Sequence, residues 1–432
     1  MSDFIGKIGL SGVSSIGDIG SSSAGKTDSR GREELISGLE DVKQGLYSKK
    51  EDSSFKRVSN YHGALNGDMP PDDELKKLMK SASVLVVDAT SDYVTAEGIK
   101  RAMDAAKGMG KNNFKVQGYV SSSGVARSQE AKDPVNPQNI KELSEQERQF
   151  AEFIKDNEEF KELYYLDKEG KVNREKRERI FTPPLQGEDK ICALRVDVSD
   201  SLVYKVWSGF LKGQIAGSYK KGVKGVFIDD ADNLYLINRQ KADNIDSVKK
   251  YERGMNNHIN IIGDMIKYAK GNDQDSAVTI NRGFDMGKGL EDNQWHVGLD
   301  PDKYVDNNGT YCSSPDAKTR QTIKDIYKNT DSVMFESVHT EYDLKIFSDY
   351  LVNLYNTNPD IKIQWVVYQN KFGSKTMDEV LDIARNDVEK LKNSLSDPKI
   401  KDFISGNVHI KAYPSDVLWR VDTVAGGRVA DL

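Results

Sequence analysis

The chain predicts an α/β fold: a (β/α)8 TIM barrel with a flexible N-terminal tail and a helical insertion after strand 2. Three observations lead there. Short apolar runs recur eight times beyond residue 80, segments of helical character separate them, and nearly every run ends in a polar residue. Strands buried on both faces read as continuous apolar runs. Eight of them alternating with helices close into a barrel more readily than they form an open sheet.

Residues 1–75 are dominated first by Gly and Ser, including Ser21-Ser22-Ser23, then by charged residues up to the turn at Met69-Pro70-Pro71. Such a composition buries no core and reads as a largely flexible tail. The barrel is expected over 76–432. Val84 to Asp88 is its first strand, followed by an amphipathic helix near 95–109. Phe114 to Val120 is the second and runs into Ser121-Ser122-Ser123-Gly124. The charged stretch 128–184 then interrupts the rhythm. It contains Gln149-Phe150-Ala151-Glu152-Phe153-Ile154 and ends at Pro183-Pro184, so it reads as a helical insertion with a solvated face or a surface for a partner. Ile191 to Asp197 is expected as the third strand, Gly225 to Asp229 the fourth and Ala277 to Asn281 the fifth. Val333 to Glu336, Ile361 to Tyr368 and Val408 to Tyr413 complete the eight, with helices near 201–219, 245–270, 317–329, 341–356 and 376–394.

With 432 residues, 37% hydrophobic and 30% charged, the chain is expected to be soluble and globular, and a net charge of −6 argues against nucleic acid as its partner. Cys192 and Cys312 are its only cysteines. Cys192, in the apolar run Ile191 to Leu194, reads as a buried thiol, which leaves no disulfide framework and no cysteine-based zinc site. His62, His258, His296, His339 and His409 lack metal-ligand spacing, so no metal and no cofactor are expected. No segment reaches the ~18–20 consecutive apolar residues of a membrane span. The start, Met1-Ser2-Asp3-Phe4-Ile5-Gly6, lacks the charged region and apolar core of a secretory signal. Synthesis in the cytoplasm is expected, with any export by a route independent of a cleavable signal peptide. Gly20-Ser21-Ser22-Ser23-Ala24-Gly25-Lys26-Thr27 matches the phosphate-binding P-loop letter for letter. That loop works only between a buried strand and a helix, and Leu10 to Ile19 is too rich in Gly and Ser to be that strand.

In parallel α/β folds the C-terminal strand ends carry ligand binding and chemistry. Here those ends are Asp88, Tyr119 with Ser121, Asp197, Asp229 with Asp230, Asn281 with Arg282, Glu336, Tyr368 with Gln369, and Tyr413. Acids and amides suit hydroxyl or amino groups, and tyrosines suit sugar faces. The densest cluster is Gly225-Val226-Phe227-Ile228-Asp229-Asp230-Ala231-Asp232, a buried strand running into three carboxylates. Crowded acids repel and resist desolvation, so packing alone does not favour them, although a helix N-cap accounts for one. Glycoside hydrolysis needs two carboxyls facing each other across the scissile bond. Asp229 on the fourth strand and Glu336 on the sixth, flanked by Phe335 and Val338, have that placement. In the long loop after the fifth strand, Trp295 beside His296, with Tyr311, forms either an aromatic platform for a sugar or a hydrophobic anchor for the loop.

Gly222-x-x-Gly225-Val226-Phe227-Ile228-Asp229, Thr279-Ile280-Asn281-Arg282-Gly283-Phe284 and Val333-Met334-Phe335-Glu336-Ser337 resemble, in order, three motifs of the endo-α-1,4-polygalactosaminidase family of barrel glycoside hydrolases. Gly118-Tyr119-Val120-Ser121 and Asp197-Val198-Ser199-Asp200 resemble its second- and third-strand motifs. The resemblance spans about residues 80–415. It implies an endo-acting hydrolase of an α-linked amino-sugar polymer, with Asp229 and Glu336 as the catalytic acids and their individual roles left open. Asp88, Tyr119, Asp197, Asp230, Asp232, Asn281, Arg282, Trp295, Tyr368 and Tyr413 are then the candidate substrate-binding residues. Where the family carries Gly and a carboxylate after the second-strand motif, this chain has Ser122-Ser123-Gly124. Two other readings stand beside it. One is a catalytically inactive barrel serving as a carbohydrate-binding or interaction module of an effector or a phage or secretion particle. The other is a barrel lyase or isomerase using a metal or a lysine such as Lys411.

Overall fold

The computed structural model describes residues 69–81, 84–91, 93–126, 136–182, 193–231, 245–283, 286, 317–336, 341–415 and 428–430. Residues 1–68 of the expected tail, with the P-loop match, lie outside the described residues, as do Asp232, Trp295, His296 and Tyr311. In chain order the first elements are α1 (Asp72–Ser81), β1 (Val84–Val87), α2 (Ala96–Gly108), β2 (Lys115–Ser121), β3 (Gly124–Ala126), α3 (Glu145–Asp156), α4 (Arg174–Ile180), β4 (Phe181–Thr182) and β5 (Ala193–Val196). There follow α5 (Ser201–Lys220), β6 (Gly225–Asp229), α6 (Ile245–Asn272), β7 (Ala277–Asn281), α7 (Ala317–Asn329), β8 (Ser332–Glu336) and α8 (Glu341–Thr357). The last are β9 (Lys362–Tyr368), α9 (Met377–Ser394), α10 (Pro398–Asn407), β10 (Val408–Tyr413) and β11 (Arg428–Ala430).

Among the described residues seven strands run parallel, in the order β1-β2-β6-β7-β8-β9-β10, and β11 adds antiparallel to β10. The sheet curls. Val84 of β1 packs on Ala277 of β7, although three strand spacings of a flat sheet would hold them roughly 14 Å apart. The architecture is TIM-like, built as a curled sheet of seven parallel strands.

The expected third strand is a correction. Ala193–Val196 does not join the parallel sheet. It pairs antiparallel with β3 and β4, and β2 pairs directly with β6. The reason is local: β3 lies just before the helical insertion and β4 at its end, so the insertion brings β5 two partners of its own. Gly124 permits the approach, since a Cβ there would sit 2.0 Å from the Leu194 carbonyl oxygen.

Strand alternation sorts the side chains. Val226, Ile228, Val278, Ile280, Val333, Phe335, Ile363, Trp365 and Val367 are buried in the large outer core shared with the helices. Phe227, Met334, Val366, Tyr368 and Tyr413 belong instead to a second cluster that includes Val86. The interior also holds a polar chain: Gln117 Nε2 donates to Thr279 Oγ1 (2.9 Å), Thr279 Oγ1 lies 2.8 Å from Ser332 Oγ, and Gln364 Nε2 donates to Ser332 Oγ (3.1 Å). Helix starts follow the capping residues. Asp200 accepts from the Leu202 and Val203 amides to open α5, and Thr376 with Glu379 forms a capping box on α9.

The insertion is less solvated than its charge suggests. Phe150, Ala151 and Ile154 of α3 are buried, as are Phe160 and Leu163 of the following turn. Phe150 meets Trp207 edge-on at 5.2 Å and lies 5.0 Å from Phe210, both on α5. Beneath them Arg177 pairs with Glu147 at 2.8 Å, with side-chain exposures of 7% and 2%. No described helix is long and apolar enough to cross a membrane.

Candidate active site

The geometry of the candidate site follows from strand parity. Tyr119, Asp229, Asn281, Glu336 and Tyr368 stand at the ends of β2, β6, β7, β8 and β9, and all face inward. Asp229 accepts three hydrogen bonds: Tyr119 Oη donates to Oδ2 (2.8 Å), while Asn281 Nδ2 and the Asp230 amide donate to Oδ1 (2.8 Å each). Glu336 accepts two, from Tyr368 Oη on Oε1 (2.5 Å) and from Asn281 Nδ2 on Oε2 (2.6 Å). One amide nitrogen therefore bridges both acids. The bridged oxygens are no farther apart than its two bonds laid end to end, 2.8 and 2.6 Å or about 5.4 Å.

The surroundings are charged and partly covered. Burial, and then the Asp229 charge, push the Tyr119 hydroxyl well above its usual value, with Asp230 and Asp88 adding to the effect. Burial and the Glu336 carboxylate do the same to Tyr368. Both phenols thus remain donors across the physiological range. Burial, and then Asp229, raise Asp230, against the opposing pull of Arg195.

Asp230, directly after the bridged Asp229, and Arg282, directly after the bridging Asn281, have φ of 60° and 63°. Non-glycine residues in the left-handed region are uncommon and concentrate at functional sites. Each is pinned from outside. Ser121 Oγ donates to Asp230 Oδ2 at 2.6 Å, and Arg195 pairs with the same oxygen at 3.2 Å. The Arg282 amide donates to Met334 O (2.7 Å), its guanidinium to Glu336 O (3.2 Å), and Tyr350 Oη donates to Arg282 O (3.0 Å).

Sequence reasoning missed Ser122, Ser123, Arg195 and His258. The amide and hydroxyl of Ser122 both donate to the Asp229 carbonyl (3.0 and 2.8 Å), and Trp207 Nε1 donates to the Ser122 carbonyl (2.9 Å). With the Ser122 proton so committed, its oxygen accepts from His258 Nε2 at 2.9 Å, which fixes the tautomer. Burial, and then nearby Arg195, lower His258 to about 3, so the imidazole is neutral. Arg195 Nη1 donates to Ser123 Oγ at 2.5 Å. The only sequence signal was the serine run at the position where the resembled family carries an acid.

The other expected residues divide. Asp88 directly follows β1, where the Thr90 hydroxyl (2.5 Å) and amide (3.1 Å) donate to it. Tyr413 lies beside Tyr368, ring centres 6.3 Å apart. Asp197 left the parallel sheet with β5; it accepts from Ser199 Oγ at 2.5 Å and pairs with Lys250 at 2.6 Å. Lys411 points inward, 3% exposed, with its ammonium nitrogen 5.9 Å from the Tyr413 ring centre. The described residues contain no group of three or more His, Cys, Asp or Glu side chains placed to hold a metal.

No family model matches the sequence, and no curated protein sequence does. Among solved structures, the chain is similar to Aspergillus fumigatus Ega3 in complex with galactosamine, at 9% identity over 89% of this chain and 98% of that one, with a TM-score of 0.43. It is similar to the intracellular xylanase TsXylA of Thermoanaerobacterium saccharolyticum bound to xylotetraose, at 12% identity, 85% and 90% coverage, and a TM-score of 0.34. It is also similar to morphinone reductase in complex with tetrahydroNAD, at 9% identity, 85% and 91% coverage, and a TM-score of 0.33. These are proteins of unlike chemistry, and function is read from the side chains.

Proposed function

We propose that the protein is a glycoside hydrolase that cleaves within an α-linked amino-sugar polymer of galactosamine type, with retention at the anomeric carbon. The observation that carries this reading is the single amide bridging Asp229 and Glu336. Asp229, whose oxygens take three donors, is the nucleophile, and Glu336 is the acid/base. In the first step an Asp229 oxygen bonds to the anomeric carbon, the glycosidic C–O bond breaks, and the Glu336 proton passes to the departing oxygen. In the second, Glu336 takes a proton from water, whose oxygen displaces Asp229 and regenerates both groups. The carboxylates of Asp88, Asp229, Asp230 and Glu336 outnumber the nearby Arg195 and Arg282, a balance suited to a cationic sugar. Tyr413 and Tyr368 supply ring faces for it.

The test is mass spectrometry of products after incubation with α-1,4-polygalactosamine, with Glu336→Gln alongside. Shorter oligomers from the wild type and intact polymer from the variant are expected. Polymer bound but uncut by both folded proteins would identify a carbohydrate-binding module instead.

A further inference from the structure

Asn281 is an expensive residue to hold where it is. It is 5% exposed, and its Oδ1 is buried with no hydrogen-bond partner among the described residues, an arrangement packing does not reward. Its nitrogen explains its presence. The two N–H bonds of a primary amide lie in one plane and diverge by about 120°, so acceptors at 2.8 and 2.6 Å are held about 4.7 Å apart when both bonds are linear. Asn281 ends β7, the strand between β6 with Asp229 and β8 with Glu336.

Two forces work against that spacing. Where Glu336 is ionised as well as Asp229 the two carboxylates repel each other, and the second oxygen of each acid is bonded to a different tyrosine, Tyr119 for Asp229 and Tyr368 for Glu336. Without the bridge, each acid is free to settle toward its own tyrosine. Retaining glycosidases hold their carboxyls at roughly 5–5.5 Å; at roughly 6.5 Å or more a nucleophilic water fits between acid and sugar and the outcome inverts.

Building on the hydrolase reading, we propose that Asn281 is the positioning residue that sets the gap between Asp229 and Glu336 and so commits the site to retention. Its amide clamps the acids and leaves the recognition of sugar to its neighbours. Widening the gap lets a small nucleophile reach the anomeric carbon directly. With azide, the new C–N bond forms on the face opposite the leaving group, the glycosidic C–O bond breaks, and Glu336 still protonates the departing oxygen.

The experiment has two arms. Crystal structures of the wild type and Asn281→Ala measure the gap without any need for turnover. An opening to roughly 6.5 Å or more is expected in the variant, and an unchanged gap overturns the proposal. In the second arm, NMR assigns the anomer of the first product formed from α-1,4-galactosamine oligomers, with and without azide. The wild type should give the retained anomer and ignore azide. The variant should lose roughly 100-fold or more in kcat and recover turnover with azide as an inverted glycosyl azide. A slow variant that still retains and does not respond to azide also overturns the proposal, because a merely structural role slows the reaction without altering its stereochemistry. Asn281→Ser, which keeps one donor, serves if the alanine variant fails to fold, with the same outcomes. If the gap opens but the wild type cleaves no oligomer, the clamp stands and the hydrolase reading falls.

Discussion

Glu147 and Asp229 are both carboxylates drawn out of bulk water, and the molecule treats them in opposite ways. Glu147, in the insertion, has an arginine of its own: Arg177 lies 2.8 Å away, with its guanidinium carbon 5.3 Å from the centre of the Phe181 ring. Among the described residues Asp229 has only neutral donors, a second acid bridged to it through Asn281, and a left-handed residue directly after it. The first arrangement cancels charge and fixes a fold. The second holds two acids together with no cationic partner on either among the described residues, at a cost in backbone strain and unsatisfied polar atoms.

The largest effect expected from breaking this contrast is on the reactive side. Asp229→Asn and Glu336→Gln should each lower kcat by roughly 10²–10⁴-fold while leaving the urea midpoint equal to or above that of the wild type, as read by paired turnover and unfolding measurements. The reverse is expected in the insertion. Arg177→Met strands a buried charge and should cost about 3–5 kcal/mol in chemical denaturation, with little change in kcat per folded molecule.

Lys411 sharpens the contrast, because it is a buried titratable group whose nitrogen has no hydrogen-bond partner among the described residues. Burial, and then Lys111, hold it well below its ordinary value. Between that lowered value and the unfolded ~10.4 the unfolded chain binds the extra proton, so wild-type stability should climb with pH across that window by up to about 1.4 kcal/mol per unit. Lys411→Met should remove the slope and raise stability at neutral pH, as measured by urea midpoints across pH. The smallest change is expected from Asp230→Asn, which keeps acceptors for Ser121 and Arg195. Asp230 is raised in the fold, so the folded state holds the extra proton above about pH 3.9 and its contribution falls as pH rises through the raised value. The variant should gain within about 1 kcal/mol on the neutral side of that window, visible as a flatter profile of Tm against pH.

Seven of the eight expected strands joined the parallel sheet, because a strand buried on both faces writes itself as an apolar run ending in a polar residue. Asp229, Asn281, Glu336, Tyr119 and Tyr368 were legible for the same reason. What could not be read was pairing. Ala193–Val196 is as short as its neighbours and carries Arg195 among three apolar residues, and the partners supplied at the two ends of the insertion turn it antiparallel. Arg195 then reaches Asp230 from that second sheet, a contact with no local periodicity to announce it. His258 and Ser122 are 136 positions apart, and a lone histidine on a helix carries no pattern that distinguishes support of a site from ordinary packing.

The most direct test of the central claim is intact-protein and peptide mass spectrometry of Glu336→Gln incubated with an α-galactosaminyl fluoride. Fluoride leaves without an acid, whereas release of the glycosyl ester needs the base that the variant lacks. The account predicts one galactosaminyl group trapped on Asp229. Turnover of the same fluoride by the wild type with no adduct in the variant, or an adduct on another residue, would contradict it.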